Sequence, residues 1–391
     1  MVVVSKQLFD AACRDVHCSV MTHPWNESCL KACPGLYKDA VIGSAKFYSI
    51  IYIAQILMRG KKMMKKDQWI KMGEYYVRST MLGLMVTSVA PNISCFIRKM
   101  LGDRFYPSTY LFIPFAVCGL FIYLEPPSRR GLVINLFCNL VIEYYIKVLE
   151  RAGFPSVTRT HQTLMFMLGS SLLFYLMRLE GDKKERTPLF WLFTPEKVKR
   201  KTIESESPCP HKGKCEKYIA KGFATYFGVG LGISLARLIL PKISTPIRAI
   251  SSIRSKHFKL AMFFGSYIGI YRAVVCYLCR KKGFDSALYA LPAGYAAGIS
   301  FLFNPSLGLS IASLTAAFKL YSTILYEKKI LPSNIPLPEL LYCFCQGTLF
   351  NARILDPDAC PSYVFNLMKS CSNGRSEHVF KSFSEVIRRA M

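Results

Sequence analysis

Residues 288–327, LYALPAGYAAGISFLFNPSLGLSIASLTAAFKLYSTILYE, read as two apolar helices joined by a tight turn at Asn304-Pro305-Ser306-Leu307-Gly308. The first carries Gly294 and Gly298 in the spacing that lets a second helix approach closely in lipid. Residues 111–150, LFIPFAVCGLFIYLEPPSRRGLVINLFCNLVIEYYIKVLE, repeat the pattern. Pro114 corresponds to Pro292, the turn Pro126-Pro127-Ser128 to Asn304-Pro305-Ser306, and Leu149-Glu150 to Tyr326-Glu327. Upstream, Arg98 and Asp103 stand five apart, as do Arg280 and Asp285. Downstream, Gly169 with Arg178 pairs with Gly347 and Arg353. Such self-similarity decides architecture before any local feature does. It predicts an internal duplication.

Composition sets the solvent. Of 391 residues, 52% are hydrophobic, and apolar runs near 20 residues alternate with basic connectors. That is the signature of a polytopic membrane protein. Ten segments are expected, near 40–58, 75–97, 109–124, 131–148, 161–178, 218–240, 258–280, 285–303, 307–326 and 338–352. The predicted fold class is therefore all-α, a polytopic membrane helix bundle of about ten segments. Its expected parts are a Cys/His-rich cap (1–33), a first membrane repeat (34–180), a polar basic linker (181–217), a second repeat (218–356) and an amphipathic basic tail (357–391).

The net charge of +27 gathers in the connectors, above all 59–71 and 178–217. Nucleic-acid binding needs basic residues beside stacking aromatics on one soluble face. Here the aromatics lie inside apolar segments, so nucleic acid is excluded and membrane lipids with anionic headgroups are the expected partner. Residues 241–259 place Ile243, Ile247, Ile250 and Ile253 at helical spacing among basic residues, which predicts a helix in the interface. Positions 1–20 lack the apolar core of a signal peptide, so targeting is expected to be internal.

Two thiol-rich boxes stand out, each ahead of the first apolar segment of a half. In the first, Cys18-x4-His23-x5-Cys29 supplies Cys18, His23 and Cys29 as candidate metal ligands, with zinc the candidate ion. Disulfides or free thiols fit the same residues, and spacing does not separate these readings. The second box is Cys209-Pro210-His211-x3-Cys215. Cysteines inside apolar segments, including Cys95 and Cys276, read as small hydrophobes.

Charges within apolar segments are costly and face protein or water. Glu143, Arg272 and Lys319 are expected to line a polar interior, with Glu143 compensating a cation, Lys147 being its neighbour one turn on. Gly265 and Gly269 repeat the close-approach spacing of Gly294 and Gly298, and the two helices bearing these pairs are expected to pack together. Five spanning segments per half, an odd number, would make the halves inverted repeats with the thiol boxes on opposite faces. No HExxH, GxSxG, Walker or Rossmann pattern is present, so no enzymatic activity and no resident organic cofactor are expected.

Two resemblances follow. Arg280-x4-Asp285-x7-Ala293-Gly294-x3-Gly298 looks like the signature of the mitochondrial presequence-translocase and amino-acid-transporter superfamily, departing by about one residue in each spacing. The first thiol box with Trp25 and Ser28, SRRG at 128–131, and FKLAMFFGSYIGIYRAVVCYL with AGYAAGISFLF closely resemble the transmembrane protein 135 family. That resemblance implies an integral protein of mitochondrial or peroxisomal membranes. It also implies roles in the fission–fusion balance of mitochondrial dynamics and in peroxisome-linked lipid metabolism, with the fission machinery as a partner. A transporter or channel for a lipid or small metabolite is the competing reading.

Overall fold

The computed structural model describes residues 3–59, 66–181, 193–199, 208–239, 255–330, 332 and 335–391. The expected interfacial helix, most of the polar linker and residues 60–65 of the first basic loop lie outside them. All regular secondary structure among the described residues is helical, with no strand. In order, the helices are α1 (Lys6–Cys13), α2 (Cys18–Met21), α3 (Cys29–Arg59), α4 (Lys66–Met100), α5 (Ile113–Cys118), α6 (Pro127–Arg151) and α7 (Arg159–Leu179). Then follow α8 (Cys215–Ile239), α9 (Ser255–Lys282), α10 (Ala290–Gly298), α11 (Leu307–Glu327), α12 (Leu337–Leu355), α13 (Ser362–Cys371) and α14 (Arg375–Ala390).

Among the described residues, five helices are long and apolar enough to cross a membrane: Lys66–Met100, Pro127–Arg151, Arg159–Leu179, Phe258–Lys282 and Leu307–Glu327. Two more of the ten expected segments are short and irregular. Ser108–Leu124 runs from a π turn through α5 into a 3-10 turn, and Ala287–Phe303 flanks α10 with 3-10 turns. Each has 17 residues, about 25 Å at helical rise, which falls short of a hydrocarbon core of about 30 Å. The expected segments 40–58, 218–240 and 338–352 correspond to α3, α8 and α12.

The outer surface is what lipid requires. On α7, Leu164, Leu168 and Leu172 are exposed in one stripe, while Gly169, Ser170, Leu173 and Phe174 are buried on the other. A soluble helix buries its leucines and exposes its serines; α7 buries Ser170 and Ser171 and exposes those three leucines.

The chain divides into two compact units, and not at the expected repeat boundaries. One unit is Met1–Ala152 with Ile335–Met391; the other is Gly153–Asn334. So α7, the last helix of the first expected repeat, belongs to the second unit, and α12, the last of the second, belongs to the first.

In the first unit, α12 lies against α5 and α6. A Cβ on Gly347 would come 2.8 Å from the Phe112 carbonyl oxygen, and one on Gly119 2.6 Å from the Cys343 backbone. Gln346 donates to the Phe115 carbonyl at 2.8 Å, Phe115 meets Phe350 edge-on at 4.7 Å, and Phe137 meets Tyr342 at 4.9 Å. The expected amphipathic tail becomes α13 and α14. Phe383 and Ile387 of α14 are buried in this unit's core, where Phe383 stacks on Tyr110 at 6.0 Å.

The second unit pairs α8 with α9 and sets α7 against α10 and α11. Ser171 donates to the Leu291 carbonyl and Ser310 to the Gln162 carbonyl, both at 2.8 Å. Its core is aromatic: Phe166 stacks on Phe301 at 4.3 Å, and Phe174 meets Tyr271 at 4.5 Å.

Candidate metal centres and the charges around them

The first thiol box converges, and a fourth ligand joins it. The metal-binding atoms of Cys18, His23, Cys29 and Cys95 lie within 4.8 Å of one another. Local chain geometry assembles three of them. His17 caps α2 by accepting from the Ser19 N–H, which starts that helix at Cys18. Asn26 then turns the chain by accepting from the Ser28 N–H at 3.0 Å, and α3 begins at Cys29. The fourth comes from near the end of α4.

Distances within this cluster favour a metal over a disulfide bridge. Cys18 Sγ and Cys29 Sγ are 3.4 Å apart, and His23 Nε2 lies 3.2 Å from Cys29 Sγ. A tetrahedral zinc with Zn–S bonds of about 2.3 Å sets S···S edges near ~3.8 Å and N···S edges near ~3.5 Å. A disulfide needs about 2.05 Å. His23 Nδ1 lies 2.7 Å from the Asn26 carbonyl oxygen. That contact places the ring proton on Nδ1 and turns Nε2, as acceptor, toward the sulfurs, the usual support of a ligating histidine.

The second box does the same in the second unit. Cys209, His211, Cys215 and Cys276 form an equivalent group, with the three cysteines buried and His211 half-buried. Cys209 Sγ and Cys215 Sγ are 3.7 Å apart, and His211 Nε2 lies 3.2 Å from Cys276 Sγ. Cys215 is the first residue of α8, as Cys29 is of α3. The His211 ring stacks on Tyr218 at 4.0 Å, and the Arg272 guanidinium lies 4.0 Å from the centre of that tyrosine ring.

Burial above all, then the Cys29 hydrogen bond and charge, holds the Cys18 thiol above its usual range, against the opposing pull of Arg98. A bound cation reverses that logic, because it binds the thiolate and expels the proton.

Sequence reasoning named Cys18, His23 and Cys29 as candidate ligands and Cys209, His211 and Cys215 as a second thiol box, six of the eight residues that converge here. Cys95 and Cys276 were missed because each sits in an apolar helix and passes for a small hydrophobe. The signal was positional: Cys95 stands three residues before Arg98 and Cys276 four before Arg280.

The charges expected to line an interior have local partners. Glu143 meets Lys147 of its own helix at 3.0 Å. Arg272 meets Glu196 at 3.1 Å and donates to the Tyr218 carbonyl at 3.0 Å. Lys319 lies on the exposed face of α11 beside Phe318. Of the two Arg/Asp pairs spaced five apart, Arg98 and Asp103 meet at 2.6 Å, whereas Asp285 meets Arg178 of α7.

The glycine pairs serve two different neighbours. A Cβ on Gly294 would lie 2.7 Å from the Ser170 carbonyl oxygen, and one on Gly298 2.6 Å from the Met167 Cα, so both face α7. Gly265 and Gly269 face Phe223 of α8 instead, at 3.1 and 3.5 Å.

Five apolar spanning-length helices, a lipid-suited exterior and a Cys/His cluster in each unit are the features of an all-α integral membrane protein. Residues 15–149 match the family described as the N-terminal cysteine-rich region of Transmembrane protein 135, which assigns that region of the chain to the transmembrane protein 135 family. No solved structure matches the chain.

Proposed function

We propose that this protein serves an organelle membrane, of mitochondria, peroxisomes or both, where it acts on the fission–fusion balance of mitochondrial dynamics and on peroxisome-linked lipid metabolism. The observation that supports this reading is the family match over residues 15–149, which spans the first cysteine cluster and helices α3 to α6. The protein acts without catalysis, through contacts with anionic lipid headgroups and with the fission machinery. The test is to delete the gene, score mitochondrial length and peroxisome-dependent lipid content, and locate a tagged full chain in fractionated cells. Unchanged networks and lipids, with the chain in neither organelle, would refute the proposal.

One observation favours a second reading, a transporter or channel for a lipid or metabolite. Each unit holds one interrupted 17-residue apolar helix, and broken helices recur at the binding sites of transporters. Solute flux into vesicles reconstituted with the pure protein separates the two.

A further inference from the structure

We propose that the chain carries two structural zinc sites of matched design: Cys18, His23, Cys29 and Cys95 in one unit, Cys209, His211, Cys215 and Cys276 in the other. The inference is independent of the organelle role above.

Four arguments converge on it. First, the ligand set is the same twice, three sulfurs and one imidazole, which is a closed, four-coordinate zinc set. Second, the construction is the same twice. Three ligands come from the segment leading into a long helix, α3 or α8, the third being that helix's opening residue. The fourth comes from the last two turns of the next long helix, α4 or α9.

Third, the ligand atoms already stand near the edges of a tetrahedron, with separations of 3.4 and 3.2 Å in one cluster and 3.7 and 3.2 Å in the other. All of the cysteines are unbridged. Fourth, both sites are withdrawn from water. In the first, Cys18 and His23 are buried; in the second, all three cysteines are and His211 is half-buried.

The chemistry balances without a redox step. Zn2+ binds three thiols and one neutral imidazole, three protons leave, and the complex carries one negative charge. No coordination position is left for water, so the sites fasten rather than catalyse. Each ties a cap segment to the end of an apolar helix nearly seventy residues away in sequence, as Cys29 to Cys95 and Cys209 to Cys276.

Metal analysis and zinc-edge X-ray absorption of the full chain, purified in detergent under non-reducing conditions, test this. Two zinc ions per chain are expected, with an average shell of three sulfurs and one nitrogen. Cys95→Ser and Cys276→Ser should each lower the content to one, and His23→Cys and His211→Cys should keep it at two. Where a serine variant aggregates, the wild-type metal count and shell decide. Fewer than two zinc ions, iron in their place, or a Cys18–Cys29 or Cys209–Cys215 disulfide in the intact protein would overturn the proposal.

Discussion

Arg178 and Asp285, 107 residues apart, meet through two hydrogen bonds of 2.7 and 2.6 Å with side chains 1% and 0% exposed. The rest of the site is fully used. Arg178 also donates to the carbonyls of Ser286 and Glu196, while Asp285 accepts from the Lys199 N–H and lies 3.3 Å from the Cys279 thiol. The pair fixes the end of α7 to the turn that precedes α10.

Removing one partner strands a buried charge, which costs about 3–5 kcal/mol. Arg178→Met is therefore expected to abolish the thermal transition of the purified protein or to lower it by ten degrees or more, on the order of what such a loss produces in a domain this size. Asp285→Asn, which keeps oxygen and shape, should lose less. Charge reversal of both residues should fail to restore stability, because Lys199 and Cys279 are oriented toward a carboxylate. Full rescue by reversal would show that only the ion pair matters.

The glycines make a graded prediction. Gly298→Leu drives a side chain into the α7 backbone, so it should destabilise the folded monomer by about 3 kcal/mol or more, at the upper end of overpacking costs. Gly269→Ala meets Phe223 at an ordinary 3.5 Å and should leave stability nearly unchanged. A dissociated dimer with an intact monomer in the Gly298→Leu variant would contradict this, as melting curves and sedimentation can show.

Asp39 governs how α14 docks. The Asn373 hydrogen bond, followed by the hydrogen bond and charge of Arg375, outweighs burial and holds its carboxyl below the ordinary carboxylate range. Arg375 in turn lies over the Trp25 ring at 4.3 Å. A depressed carboxyl contributes stability that is present above the unfolded value of about 4 and is lost as pH falls through the folded value. Protection of residues 372–391 from proteolysis should drop on acidification below about pH 4. Asp39→Asn should weaken protection at neutral pH and remove that acid dependence. The partly exposed pair is worth less than about 1 kcal/mol, so the effect is local.

Much of the architecture was legible in the sequence, and the omissions share one cause. Apolar runs gave the helices, and spacing gave Cys18, His23 and Cys29, because those ligands sit on one short stretch. Asp285 stands five residues after Arg280, yet its partner is Arg178, 107 residues away. Cys95, Cys276 and the placement of α7 and α12 all concern partners far along the chain. Helical periodicity reports which face of a helix is apolar, not which helix covers it.

The exchanged positions of α7 and α12 yield a prediction about fragments. A chain of residues 1–180 lacks α12 and leaves α7 uncovered; residues 181–391 have the complementary defect. Neither should accumulate alone, whereas co-expression should restore both. Stable, monodisperse 1–180 by itself, judged by gel filtration, would contradict this.

The placement of α12 also sets an order of events at the ribosome. Roughly 200 residues separate the end of α6 from the end of α12, so at about 5–20 residues per second the first unit waits some ~10–40 s for its closing helix. Until then the α5 surface that receives Gly347 and Gln346 stands open to lipid or to a chaperone. A premature stop after residue 334 would therefore spare the unit begun second and ruin the one begun first.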